Sequence, residues 1–254
     1  MSVKVYYDPY NRVGNRLFQY SFARILANLK QEPFICDEIP DFNISAQSAI
    51  FNDTDKITTR SYGLNYIDLQ ALIDIKKDIL IDSYVQNSSY YVDYRHQIIQ
   101  WLGIPTTQAV NKDKLIVHVR ETDYKDLNFF LGYDFYKKAI DKLGYTDNII
   151  VTDNSKCETV QKLLSDGCKL STEGYIDTFS ATWQPRDRAD FNTLLTSENI
   201  LISQSSYSWW AAFLGNHKNI FFPYCESCGI WKINPAQDDI NLFFDYGYSE
   251  KIIF

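Results

Sequence analysis

Short apolar runs alternate with amphipathic stretches along this chain, and that alternation constrains the fold more than any other feature. Val3 to Tyr7, Phe34 to Cys36, Ile79 to Val85, Leu115 to Val119, Ile149 to Val151, Ile200 to Ile202 and Ile220 to Phe222 have strand length and strand composition. Between them lie stretches with helical spacing. Leu17, Phe18, Phe22, Ile25, Leu26 and Leu29 define a helix from about Arg16 to Lys30, with Asn15 as its N-cap. Further helices are predicted over Tyr91 to Leu102, Asp134 to Leu143, Cys157 to Leu164, Asp187 to Thr196 and Tyr207 to Leu214. Strands alternating with helices make βαβ units and a parallel sheet. Gly103-Ile104-Pro105 ends the first series, which predicts a first α/β domain over 1–108 and a second over 109–254. The polar stretch 38–60 resists assignment, and the tail Lys251 to Phe254 packs back as a strand or stays loose.

At 254 residues and 45% hydrophobic content the chain can bury a substantial core. Its net charge of −7 argues against nucleic acid as a partner, because phosphate neutralisation needs a basic field. No run of about 18 apolar residues exists, so no membrane span is expected. The N-terminus enters a strand at once, with no apolar signal segment, and this points to a cytoplasmic protein. Five scattered cysteines, Cys36, Cys157, Cys168, Cys225 and Cys228, fit reduced thiols. Cys225 and Cys228 form a CxxC near His217, but a zinc site needs a fourth ligand and none is evident.

In open α/β sheets ligands sit at the carboxyl ends of strands, and three polar segments begin there. The first is His118-Val119-Arg120-Glu121-Thr122-Asp123-Tyr124. His118 and Arg120 are two positions apart and share a face. Together they suit a diphosphate, since the Arg fork matches phosphate oxygens and stays charged. The plain alternative is an Arg120–Asp123 ion pair in a turn, with His118 a satisfied core histidine. The second is Ser203 to Ser208, a hydroxyl-rich turn opening an apolar helix. Its backbone N–H groups suit an anion; an N-cap by Ser205 or Ser206 is the compatible structural reading. The third is Thr152-Asp153-Asn154. In the first half, Gly14 lies between strand and helix, where backbone can approach a ligand closely.

These segments carry a resemblance. Gly14-Asn15-Arg16-Leu17-Phe18-Gln19-Tyr20-Ser21-Phe22-Ala23-Arg24 resembles the opening motif of the α-1,2-fucosyltransferases (glycosyltransferase family 11). His118 to Tyr124 resembles that family's HVRRGDY donor motif, Thr122 being closer to the form in α-1,6-fucosyltransferases. Val151 to Asn154 resembles its FSDD segment, and Ser205 to Ala212 its NS(T/S)FSWW(G/A)A segment. Pro223 and Trp231 fit its closing pattern, and the order is the family's across nearly the whole chain.

The resemblance implies two Rossmann-like αβα domains facing a cleft, a GT-B-like arrangement, with the donor on the second domain. It implies an inverting, metal-independent transfer of L-fucose from GDP-L-fucose to a galactose-type hydroxyl of a glycan acceptor, with no cofactor. By position, Arg120 holds the diphosphate, His118 contacts the nucleotide, and Asp153 faces guanine. Ser206 and Ser208 lie at the phosphates, Gly14 and Asn15 cover the donor from the first domain, and Arg16, Asp123, Asn154 and Ser205 join them as donor-binding residues. Asp126, Asp8 and Glu121 are candidates for the general base, Asp126 being the one adopted.

Two departures bear on the donor sugar. Glu121 stands where the family usually has a second Arg, and Arg16 where it has Gln; Arg16 is the candidate to restore the positive charge. Three alternatives follow: a different nucleotide-sugar donor, a GDP- or sugar-binding relative without turnover, and a metal-dependent GT-A enzyme using Asp53-Thr54-Asp55, a DxD outside the matching segments. A dinucleotide-binding oxidoreductase is disfavoured, as no GxGxxG follows the first strand.

Overall fold

A computed structural model describes residues 1–7, 12–105, 110–127, 129–171, 185–224, 230–246 and 248–253. The chain is mixed α/β and divides into two units, each built on a parallel sheet.

The first unit comprises Met1–Pro105 together with Pro235–Leu242. Its elements are β1 (Val3–Val5), α1 (Val13–Lys30), β2 (Phe34–Ile35), β3 (Lys56–Thr58), α2 (Leu69–Asp74), β4 (Asp78–Ile81) and α3 (Arg95–Trp101). The strands lie in the order β2-β1-β4-β3, all parallel. Helix α1 buries the apolar face read from its spacing, including Leu17, Phe18, Phe22, Ile25 and Leu26. It starts earlier than expected. Its N-cap is Arg12, without a side-chain cap bond, and Asn15 lies within the first turn, so the N-cap assignment to Asn15 is corrected. Asn15 Oδ1 instead accepts from Gln86 Nε2 at 3.0 Å. Lys30, at the last turn of α1, donates to the carbonyls of Leu72, Ile73 and Ile75 at the end of α2, where a cation meets the negative end of a helix.

Asp238 explains why 235–242 belongs with this unit. Its carboxylate accepts from the backbone N–H groups of Leu64, Asn65 and Tyr66. Burial works to raise its pKa, but those three bonds hold it below the usual carboxylate value. Strand β4 stops at Ile81, short of the predicted Val85, which takes a left-handed φ of 50°. The predicted helix over 91–102 is partly 3-10, with turns at Ser88–Tyr90 and Val92–Tyr94 preceding α3.

The second unit runs through β5 (Val110–Val119), α4 (Thr122–Asp126), α5 (Gly132–Leu143), β6 (Asn148–Thr152), α6 (Glu158–Ser165), β7 (Lys169–Leu170), α7 (Pro185–Leu195), β8 (Ser197–Leu201), α8 (Ser206–Leu214), β9 (Asn219–Tyr224) and β10 (Ser249–Ile253). The order β10-β9-β8-β5-β6-β7 is parallel throughout. Central β5 is fully buried only from Leu115 to Val119, the apolar run seen in sequence. The tail resolves as β10, paired to β9 from Ser249↔Ile220 to Ile253↔Tyr224.

Helix α8 is apolar nearly all round and almost wholly buried, as such a composition requires. Trp209 stacks on Phe213 at 4.8 Å and meets Trp210 and Phe244 edge-on. This packing fixes where the helix begins, and so where its first backbone N–H groups lie. No helix among the described residues is long and apolar enough to cross a membrane.

Candidate functional site

The second unit gathers its polar residues at the carboxyl ends of β5, β6 and β8. His118 lies on β5 beside Val151 of β6 and is 3% exposed. Its Nδ1 contacts Ser203 Oγ, beyond the end of β8, at 2.7 Å. Its ring lies 5.5 Å from that of Tyr207 in the first turn of α8. Burial, with the Arg120 charge adding to it, pushes the His118 pKa down to about 3, so the imidazole is neutral.

That neutrality has a sign in acid. Unfolded, His118 takes a proton at its ordinary 6.5, while folded it resists until about 3. Between those values unfolding is favoured by up to about 1.4 kcal/mol per pH unit. Its contribution is therefore complete above 6.5 and fades as pH falls toward 3. A His118→Gln variant is expected to lose less stability than the parent between about pH 7 and pH 5. Urea denaturation midpoints at the two pH values measure this, and equal losses would mean that the folded histidine is charged.

Arg120 follows the end of β5, its side chain 10% exposed. Nε and Nη2 donate to Asp123 Oδ1 at 3.0 and 2.7 Å, and Nη1 pairs with Asp153 Oδ2 at 3.1 Å. The guanidinium also lies over the Tyr124 ring, 5.6 Å from its centroid. Burial disfavours the charge, but Asp153 and Asp123 outweigh it and raise the pKa. The ion pair with Asp123 read from sequence is present, with a second, buried carboxylate behind it. Asp153, 7% exposed, also accepts from the backbone N–H groups of Glu121 and Thr122, each at 3.2 Å. One carboxylate thus holds both the turn after β5 and the arginine that the turn presents.

Glu121 turns inward. It is 5% exposed, in hydrogen-bond contact with the Cys157 thiol, and close to the Tyr136 phenol. Burial, with the Glu121 carboxylate adding to it, pushes Cys157 up to about 12. Glu121 Oε1 has no hydrogen-bond partner among the described residues. The side chain that departs from the resembled donor motif therefore faces inward, toward Cys157 and Tyr136.

The remaining predicted residues fall in distinct places. Ser205 caps α8, its hydroxyl accepting from Tyr207 N at 3.3 Å, and Ser206 opens the helix. Ser208 is fully buried, its one hydroxyl proton within reach of the carbonyl of Ser203 or of Ser205, each at 3.3 Å. Asn154 forms a local turn, accepting from Lys156 N at 3.0 Å. Asp126 is exposed at the end of α4. Gly14, Asn15 and Arg16 belong to the first unit, in the first turn of α1, with Arg16 5.9 Å from the Tyr7 ring centroid. Asp8, Cys225 and Cys228 lie outside the described residues.

Gln204 had no motif to announce it. Its side chain donates to Pro223 O at 3.2 Å and accepts from the backbone N–H groups of Ile230 and Trp231. Its own carbonyl accepts from the Tyr124 hydroxyl at 3.1 Å. It therefore ties together the exits of β8 and β9, the segment at 230–231 and the Arg120 loop.

No protein-family model and no curated protein matches the sequence. Among solved structures, that of a point mutant of Arabidopsis thaliana FUT1 in complex with GDP is similar at 12% identity and a TM-score of 0.49. The likeness covers 90% of this chain and 72% of that one.

No His, Cys, Asp or Glu group among the described residues is arranged to hold a metal ion. Asp53 and Asp55 of the DxD pair separately with Lys56 at 3.0 Å and Lys77 at 2.5 Å. His217, considered beside the CxxC, has both ring nitrogens on carbonyls, of Ser197 at 2.7 Å and Ala211 at 3.1 Å.

Proposed function

We propose that this protein transfers a sugar from a GDP-sugar, with GDP-L-fucose as donor and a galactose-type hydroxyl of a glycan as acceptor. The observation that carries the reading is Arg120: a buried guanidinium fixed at a strand end by two carboxylates, beside a neutral histidine and the start of a buried helix. The order of the sequence motifs supplies the donor class.

Arg120 neutralises charge that develops on the departing diphosphate. A cation already oriented by protein groups does this without reorganising as the bond breaks. Phosphate oxygens compete with Asp123, the more exposed of its two carboxylate partners at 44%. Asp153 stays behind as anchor. The capped start of α8 adds backbone dipoles of the favourable sign. The acceptor hydroxyl attacks the anomeric carbon from the opposite side through an oxocarbenium-like transition state, inverting it. Asp126 is the proposed base and needs hydrogen-bond reach to that hydroxyl.

A mass-spectrometric screen of GDP-fucose, GDP-mannose and a UDP-sugar against simple galactosides tests this. Transfer from GDP-fucose, undiminished in excess EDTA, is the expected result. Activity lost in EDTA and restored by Mn²⁺ would return the metal-dependent reading. GDP binding by calorimetry with neither transfer nor donor hydrolysis would favour a non-catalytic binding protein.

A further inference from the structure

We propose that Ser203 is a positioning residue that donates its hydroxyl proton to His118 Nδ1. This fixes the imidazole as the Nε2–H tautomer, a neutral donor toward an oxygen of a bound nucleoside diphosphate.

Hydrogen-bond accounting around Ser203 gives the direction. Ser203 is 2% exposed, so its hydroxyl proton needs a protein acceptor. Among the described residues, two side-chain atoms are in reach: His118 Nδ1 at 2.7 Å and Ser208 Oγ at 3.5 Å. A hydroxyl bond forms at about 2.7–2.8 Å, and 3.5 Å is well beyond that. Were Nδ1 the protonated nitrogen, it would donate to Ser203 Oγ, and the hydroxyl proton would be left to the long contact. Ser208 does not alter this, because its own proton goes to the carbonyl of Ser203 or of Ser205, each at 3.3 Å. Among the described residues, only donation to Nδ1 gives the Ser203 hydroxyl proton an acceptor at ordinary length. The proton of the neutral ring then sits on Nε2.

Tyr207 and the β5 backbone hold the ring plane, so the tautomer sets the character of its remaining nitrogen. As Nε2–H, His118 is a hydrogen-bond donor and not a base. The tautomer assignment stands on the hydrogen-bond geometry of a ring that burial keeps neutral, while the nucleotide half rests on the proposed donor site.

The protein has three histidines, His96, His118 and His217, so imidazole signals are few enough to assign in a two-bond proton–nitrogen correlation spectrum. The His118→Gln variant identifies the His118 set. The expected spectrum at neutral pH shows His118 with an unprotonated Nδ1 and a protonated Nε2. The reverse pattern, or both nitrogens protonated, would overturn the proposal. In Ser203→Ala the His118 signals should become those of mixed tautomers, and GDP affinity by calorimetry should fall about tenfold. Ser203→Thr, which keeps the hydroxyl, should restore both. Weaker binding with the tautomer unchanged would show Ser203 to be merely structural and would sink its positioning role. If the tautomer is as stated but GDP shifts no His118 signal, the nucleotide half and the proposed donor site fail together, while the Ser203 assignment survives.

Discussion

Replacing Arg120 with alanine is expected to lower turnover at least about a hundredfold, because one preorganised contact to a developing negative charge contributes roughly 3 kcal/mol or more to the barrier. The variant also removes a partner from buried Asp153, so activity has to be read beside a thermal melt. Arg120→Lys separates the effects. It keeps a cation near Asp153 but loses the fork that meets Asp123 through two nitrogens. It should therefore remain more stable than the alanine variant yet stay far below parent turnover. Near-parent turnover in a folded Arg120→Ala protein would sink the donor-site assignment.

The second large effect is on stability. Asp153→Ala takes away the acceptor for Glu121 N, Thr122 N and Arg120 Nη1 at once. Breaking a buried pair from one side costs about 3–5 kcal/mol, since the other charge is left behind. Asp123, partly exposed, compensates for some of this, which puts the expected loss near the lower figure, about 3 kcal/mol. Urea denaturation should show it, with Asp153→Asn intermediate because the amide retains an acceptor oxygen. A parent-like midpoint for the alanine variant would mean that the loop is anchored elsewhere. Base choice is informative in the same variants. If Asp153 acts by holding Arg120, Asp153→Asn should lose turnover while keeping its preference for GDP over ADP. A lost preference would assign Asp153 to guanine, as the sequence resemblance implies.

The sheet of the second unit was legible because strands buried on both faces read as unbroken apolar runs, as Leu115 to Val119 does. Helix α8 was legible for a similar reason. Short, half-exposed elements were not: β3, at Lys56–Thr58, has no fully buried residue, and α2 is only six residues long. Neither length nor periodicity sets such segments apart from loops.

At the site, His118 and Arg120 were visible because alternation still governs the last positions of a strand. Glu121 escaped because β5 ends at Val119 and the following turn obeys no period, so the inward direction of its side chain could not be counted out. Ser208 shows the reverse case. A helix start rich in hydroxyls looks open in sequence, but one turn in, the chain faces the core.

Gln204 bears on motion as well as on position. A fluctuation that freed both the Ile230 and Trp231 N–H groups would strand a buried amide oxygen, and one that freed the side chain would also release Pro223 O. Leaving such groups unsatisfied costs about 1–3 kcal/mol each, which holds the segment at 230–231 to the Gln204 side chain. It opens, when it opens, together with the exits of β8 and β9, as one cooperative piece of the fold. Because the Tyr124 hydroxyl is bonded to the Gln204 carbonyl, the loop carrying Arg120 belongs to that same piece. Amide exchange in segments far apart in the chain is thereby tied to a single opening event.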